Sequence, residues 1–300
     1  MRIIFIGTVK LSEAILRKII SFSKINNSQF KIKVITSKNN KFNSDKIDLT
    51  KLCLKNKIEI FKTDNINSKK SYKEINIFKP DIGFCVGWSQ LINEKIIKIP
   101  KKGFIGYHPS LLPQNRGRHP LIWVLNLGLK QTGSSFFFLK KNADSGNIIS
   151  QKKIKINFSD NAETLYKKMI IKALSQIDYI LRKLKNIKIN SNKQNSKKSN
   201  YWRKRSEKDG MIDFRMSNNF IYNLVRALHK PYPGAYFFFK EKKIKVWKVK
   251  LFNNQNYKNI EPGRVIKLTK KKNPIVKCGE NCIELLSISP NIKFKPNENI

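Results

Sequence analysis

GFIGYHPSLLPQNRGRHPLIW (residues 103–123) leaves an apolar strand, turns through two prolines and a basic loop, and starts a helix. In an open α/β sheet, ligands bind outside the carboxyl ends of the strands. That is where this stretch places His108. Pro109 and Pro113 restrict the backbone on its C-terminal side, so the imidazole is held in one place. Upstream, strands and helices alternate. RIIFIG (2–7) reads as a buried strand, and Ser12 is positioned to cap a helix carrying Ile15, Leu16, Ile19 and Ile20 on one face. FKIKVIT, IEIFKT and IGFCVGW are further strands, separated by the helical stretches KIDLTKLCLKN and SYKEINIFK, and INEKIIKI is helical again. Such alternation predicts an α/β fold with a doubly wound parallel sheet. Gly7 ends the first strand with no G-x-G-x-x-G run, which argues against a dinucleotide cofactor.

Beyond residue 123 the helix stops at Gly128, SSFFFLK and NIISQKKIKI follow as strands, and a long helix runs from about 161 to 184. A polar Lys/Asn/Ser-rich stretch then suggests a linker. The expected division is a first domain over 1–187, a linker over 188–200 and a smaller second domain over 201–300. In the last, the helix NNFIYNLVRALHK is stopped by PYPG, and short strands separated by turns predict a small, OB-like β-barrel.

Composition limits the function. The formal charge of +42 comes mostly from lysine, with only ten arginines, and Lys, Asn and Ile crowd together throughout. A base-composition bias explains this pattern, whereas a nucleic-acid groove favours Arg interleaved with aromatics. No apolar run is long enough to span a bilayer. The N-terminus reads as strand and helix and not as a signal peptide, so a cytoplasmic protein with no membrane partner is expected. Cys53, Cys85, Cys278 and Cys282 are then expected as reduced thiols. The CGENC stretch looks like a hairpin turn, and without a second ligand pair no metal is expected.

His108 is one of only three histidines. His119 starts a helix and His229 ends one, positions that suit structural roles, although His119 also stands beside Arg118. Trp88, Trp123 and Phe136 to Phe138 read first as core. Downstream, KNADSGNIISQ puts Asp144 in a turn between two strands, and a carboxylate beside an imidazole fixes its tautomer and stabilises its protonated form.

HPSLLPQNRGR followed by Asp144, Ser145 and Gly146, thirty-six positions after the histidine, resembles the folate-dependent formyltransferases. That family includes enzymes acting on methionyl-tRNA, amino sugars and glycinamide ribonucleotide, together with formyltetrahydrofolate hydrolases. The likeness runs from the turn at Gly7 to LVRALHKPYPGAYF. It implies a Rossmann-like formyltransferase fold and transfer of a formyl group from 10-formyltetrahydrofolate to a primary amine. It implies that His108 is the acid/base and that Asp144 orients it, with no metal. It also implies that the folate lies along Gln90, Leu91 and Ile92, along Ser110, Leu111, Leu112 and Pro113, and along Lys140, Lys141, Asn142 and Ala143. Arg118 matches an arginine near the ligand of some sugar enzymes. One departure stands out. Where the family usually has an Asn donating to the oxyanion, this chain has Gly106, and backbone N–H groups, water or Asn115 are the candidates to compensate.

Three functions follow from the resemblance. NRGRHPLIW and the C-terminal motif look closer to the branch modifying nucleotide-linked amino sugars, which is the expected small-molecule partner. Methionyl-tRNA formylation would suit the basic charge, but TSKNNKFNSDK has no Arg/Gly/Lys-rich insertion. A formyltetrahydrofolate hydrolase or an inactive folate-binding protein is the third. The sequence allows a homodimer and leaves open whether the C-terminal domain dimerises or binds substrate.

Overall fold

Five apolar strands run in parallel in the computed structural model, which describes residues 1–25, 30–38, 44–184, 189–253 and 255–300. They are β1 (Arg2–Gly7), β2 (Lys31–Thr36), β3 (Glu59–Lys62), β4 (Ile82–Val86) and β5 (Phe104–His108). β1 pairs in parallel with both β2 and β4, β2 with β3, and β4 with β5. The connecting helices are α1 (Lys10–Ile25), α2 (Thr50–Lys55), α3 (Lys69–Phe78) and α4 (Glu94–Ile97). Ile3, Ile4, Phe5 and Ile6 are all completely buried, because successive side chains point to opposite faces and both faces are covered. On one face Ile4 and Ile6 join Ile35, Ile75, Phe78, Ile96 and Phe104 in a single cluster.

β6 (Arg116–Gly117) is a two-residue strand, followed by α5 (Pro120–Asn126), β7 (Gln131–Phe138), β8 (Ile148–Lys155) and α6 (Ala162–Lys183). The full sheet order is β3-β2-β1-β4-β5-β7-β8. Here the sheet departs from an all-parallel one: β7 runs antiparallel to β5, Tyr107 opposite Phe136 and His108 opposite Ser135. The apolar run of β7 is buried whichever way it points, so its sequence pattern carries no sign of direction.

Ser12 also differs from its expected place. It lies inside the first turn of α1, buried, and its hydroxyl accepts the N–H groups of Thr8 and Val9 at 3.1 Å each. The same hydroxyl donates to the carbonyl of Val86 at 2.7 Å, tying the end of β4 to the start of α1. It therefore satisfies the turn before the helix and a neighbouring strand together.

The chain divides into two compact units. The first holds Met1–Arg118, Thr132–Ile154 and Lys167–Trp202, and the second holds His119–Gln131, Lys155–Tyr166 and Arg203–Ile300. The expected boundary at 187/188 lies outside the described residues. Residues 192–200, expected as linker, and Tyr201–Trp202, expected to begin the second domain, are tied into the first unit: Asn192 bridges Ile148, and β9 (Tyr201–Trp202) pairs in parallel with β6.

In the second unit α7 (Asn218–Ala227) is capped by Ser217, whose side chain accepts from Phe220 N–H. β10 (Ala235–Phe239), β11 (Lys242–Phe252), β12 (Val265–Leu268), β13 (Pro274–Lys277) and β14 (Cys282–Ser289) form a five-stranded antiparallel sheet ordered β10-β11-β14-β13-β12. Among the described residues β10 and β12 are its edges, with α7 packed on β11. No described helix is long and apolar enough to cross a membrane.

Ser12→Ala strands two backbone N–H groups and a carbonyl in the interior. Urea unfolding should show a loss of about 1–3 kcal/mol, and unchanged stability would show that the serine is dispensable to the β1–α1 turn.

Candidate active site

His108 closes β5, its side chain 6% exposed, with an acceptor on either side. Its Nε2 is 2.7 Å from the carbonyl of Asn115. A carbonyl only accepts, so Nε2 carries the proton there. That bond fixes the ring and turns Nδ1 toward Asp144, whose Oδ2 is 3.5 Å away. The gap is longer than a well-formed hydrogen bond. It is an ion-pair distance, so a proton on Nδ1 lies directly against the carboxylate charge.

Asp144 stands in the left-handed region at φ 53°. Its Oδ2 also accepts the Gly117 N–H at 2.9 Å, and Oδ1 takes no hydrogen bond from any described residue. Two residues on, Gly146 packs so tightly that a Cβ would lie 1.6 Å from the carbonyl oxygen of Phe138. Only glycine allows the loop to fold back onto β7 at this point. The structure thus brings His108 and Asp144 together across thirty-six positions, with residues 115–117 touching both.

At Gly106 the sequence left a missing donor. A Cβ there would meet Leu139 Cδ2 at 2.5 Å and Phe137 Cζ at 3.0 Å. The space an asparagine would need is filled by apolar side chains. Asn115 does not fill the gap either: it faces His108 with its carbonyl, and its side-chain oxygen accepts from Asn200 at 3.2 Å. Cys85 lies opposite Gly106 in the β4–β5 register. Desolvation, with a smaller contribution from the charge of Asp144, pushes its thiol up to about 12. It therefore stays protonated at neutral pH and is a poor nucleophile.

The residues expected to line a ligand fall into two groups. Leu91 is 64% exposed, and Lys140, Lys141 and Asn142 are exposed as well, with Leu111, Pro113 and Ala143 half-buried. Ile92, Ser110 and Leu112 are buried, so what they can offer is backbone. The amide of Gln90 is already used, accepting from Ile66 N–H at 3.0 Å and donating to the Asp64 carbonyl at 2.6 Å. The indole N–H of Trp88 is buried with no partner among the described residues, while the ring packs against the core cluster. Arg118 donates from Nη1 to the carbonyl of Ser89. His119, also left-handed at φ 52°, accepts the Arg205 N–H through Nδ1 at 3.3 Å, a structural use.

Sequence reading missed Arg116 and Gln194. Arg116, 4% exposed, donates to Tyr201 Oη at 2.9 Å and to Gln194 Oε1 at 2.7 Å. Gln194 donates to the carbonyls of Asp144 at 2.8 Å and Gly146 at 2.6 Å. Nothing local in the Lys/Asn-rich stretch around residue 194 marks it; only its distant partners do.

Comparison with known proteins fits this geometry. A family model described as formyl transferase matches residues 1–176, and one described as formyl transferase, C-terminal domain, matches 204–296. This chain belongs to the formyl transferase family. It is 40% identical over 238 residues to the bifunctional polymyxin resistance protein ArnA of Wigglesworthia glossinidia brevipalpis, a match covering 79% of this chain and 35% of that protein. The chain thus spans about a third of that relative's length. It is 31% identical to a methionyl-tRNA formyltransferase of Caldanaerobacter subterraneus, covering 79% of this chain and 75% of the relative. Among solved structures, the sugar 3N-formyl transferase WlaRD matches with a TM-score of 0.70 at 21% identity, covering 97% of this chain and 99% of the other. An N-formyltransferase from Helicobacter canadensis matches with a TM-score of 0.72 at 19% identity, covering 94% and 98%. At these identities the structures share the fold.

Gly106→Asn should destabilise the protein by about 1–3 kcal/mol through overpacking against Leu139 and Phe137. Adding Leu139→Ala should recover part of that loss in thermal unfolding. An Asn variant as stable as the parent would show that the strand has room after all.

Proposed function

We propose that this chain transfers a formyl group from 10-formyltetrahydrofolate to a primary amine carried on a nucleotide-linked sugar. The observation that carries the reading is the convergence of His108 and Asp144 at the carboxyl end of β5, in a chain of the formyl transferase family. In this reading residues 1–187 are the catalytic domain, joined through 188–200 to a second domain over 201–300.

The donor supplies an activated formyl carbon. The remaining chemistry is proton traffic: the acceptor amine forms a bond to that carbon and loses a proton, and the departing tetrahydrofolate nitrogen gains one. Nδ1 of His108 and the carboxylate of Asp144, 3.5 Å apart, are placed to take the first and return the second. With Nε2 anchored on the Asn115 carbonyl, the ring does not need to reorient between the two events. Gly106 leaves the oxyanion to backbone or solvent donors, so this chain forgoes one side-chain donor.

The surroundings suit a folate. The unpartnered Trp88 N–H is a donor awaiting an acceptor, and Leu91 offers apolar surface. Lys140 and Lys141 are exposed cations suited to the anionic glutamate tail. Gln90 serves by holding the neighbouring loop, and Ile92, Ser110, Leu112, Pro113, Asn142 and Ala143 serve by shape and backbone. Arg118, anchored to Ser89, is assigned to the acceptor side.

Support for a sugar acceptor comes from the sequence around 115–123 and from the solved neighbours matched end to end, one named a sugar 3N-formyl transferase and one solved with dTDP-3-aminofucose. The methionyl-tRNA formyltransferases among the relatives favour a second acceptor, the initiator tRNA.

Offering the purified protein 10-formyltetrahydrofolate with a panel of nucleotide-linked amino sugars, and separately with initiator methionyl-tRNA, distinguishes them. Formylation of a sugar amine is expected, reduced at least about a hundredfold by His108→Ala and by Asp144→Asn. Transfer to the tRNA alone would move the acceptor to the second reading. Formate release without any acceptor would make the protein a hydrolase, and full activity in the His108 variant would remove the assigned roles.

A further inference from the structure

Gln194 stands fifty positions after Asp144, in a polar stretch with no chemistry of its own, yet its amide is fully committed at the candidate active site. Its Nε2 donates both hydrogens, one to the carbonyl of Asp144 and one to that of Gly146, while its Oε1 accepts from the buried Arg116. The residue is 8% exposed, so these bonds are largely withdrawn from bulk water. We propose that Gln194 is a positioning residue for the His108–Asp144 pair, holding the left-handed turn at Asp144 and, through Arg116, the loop that fixes the imidazole. The inference rests on the reading that His108 and Asp144 carry the chemistry.

The backbone at Asp144 motivates it. A non-glycine residue at φ 53° sits in the left-handed region, which aspartate enters more readily than most residues but which its neighbours must still hold in one place. Gly146 fixes the far side of the turn by its contact with Phe138, and Gln194 fixes the near side by gripping the carbonyls of 144 and 146. Without it two carbonyls would face inward with no donor, and the turn would be free to relax toward commoner backbone angles, carrying the carboxylate away from Nδ1.

Arg116 gives the same amide a second reach. It lies between Asn115, whose carbonyl accepts from His108 Nε2, and Gly117, whose N–H donates to Asp144 Oδ2. Its guanidinium sits over the Tyr201 ring with its carbon 5.5 Å from the centroid, bonded to Tyr201 Oη and to Gln194. Its backbone N–H donates to the carbonyl of Asn200 at 3.0 Å. One strap, residues 192–202, therefore grips the loop that fixes the imidazole and the loop that bears the carboxylate. Gln194 bonds to both through a single side chain.

A positioning role differs from a purely structural one in what it moves. Misplacing a reacting group by about 1 Å can slow a reaction by up to about a hundredfold while substrate binding is spared. Two variants separate the effects. Gln194→Leu removes all three bonds. Gln194→Glu keeps the shape and strengthens the Arg116 contact, but sets a carboxylate against the carbonyls of Asp144 and Gly146, so it tests the grip on the turn with the Arg116 anchor intact. Steady-state kinetics of both are compared with the parent and with His108→Ala. 15N-histidine spectra report the imidazole of His108, and circular dichroism with thermal unfolding reports whether both units stay folded.

The proposal expects kcat to fall about tenfold or more in both variants, KM for donor and acceptor to change less than about twofold, and His108 signals to shift while the thermal unfolding profile stays. Parental kcat in Gln194→Glu, or a loss confined to KM, overturns it. So does a loss of activity that accompanies unfolding of the first unit in both variants, since that shows a purely structural role. If His108→Ala itself keeps full activity, the reading of the site has failed, whatever Gln194 does.

Discussion

Backbone groups of one short loop hold the candidate site in shape. The carbonyl of Asn115 takes the Nε2 proton of His108, and the N–H of Gly117 donates to the carboxylate of Asp144. Neither functional side chain is fixed by a hydrogen bond to the other; their 3.5 Å separation is set by what residues 115–117 do to each. The sheet supplies the other half of the constraint. Pairing β5 with β4 on one side and β7 on the other fixes where the strand ends, and with it where the imidazole emerges. At 3.5 Å the two stand within ion-pair range without closing a hydrogen bond.

The floor beneath this pair is apolar and tight. Phe137 and Leu139 occupy the space above Gly106, and the carbonyl of Phe138 leaves no room for a side chain at Gly146. Packing constrains the two glycines differently: at Gly106 the ends of flexible side chains would have to move, whereas at Gly146 backbone blocks any Cβ. It also explains why a polar residue at Gly106 is not a simple addition. The donor would arrive with a volume that the sheet has already filled.

Much of the fold was legible because buried strands announce themselves. RIIFIG and GFIGYH are continuous apolar runs bounded by turn residues, and their alternation with helical patterns pointed to parallel pairing. The direction of β7 was not legible, since SSFFF buries equally well either way and direction depends on the connection. Ser12 was read as a cap because serine before an apolar periodicity signals one, but its distant partner Val86 cannot be seen locally. His108 and Asp144 were legible through a family resemblance, and their closeness is a geometric result. Gln194 was hidden because the Lys/Asn bias that surrounds it makes every polar residue look like solvated surface. Long-range hydrogen bonds to backbone leave no pattern in a single sequence.

The fate of a labelled carbon tests the central claim most directly. With donor carrying 13C in its formyl group, in a single turnover with the best amine acceptor, the account predicts that the label appears as a formamide on the acceptor nitrogen in step with tetrahydrofolate release. Label collecting as free formate while that acceptor is present, or remaining on the donor, would contradict it.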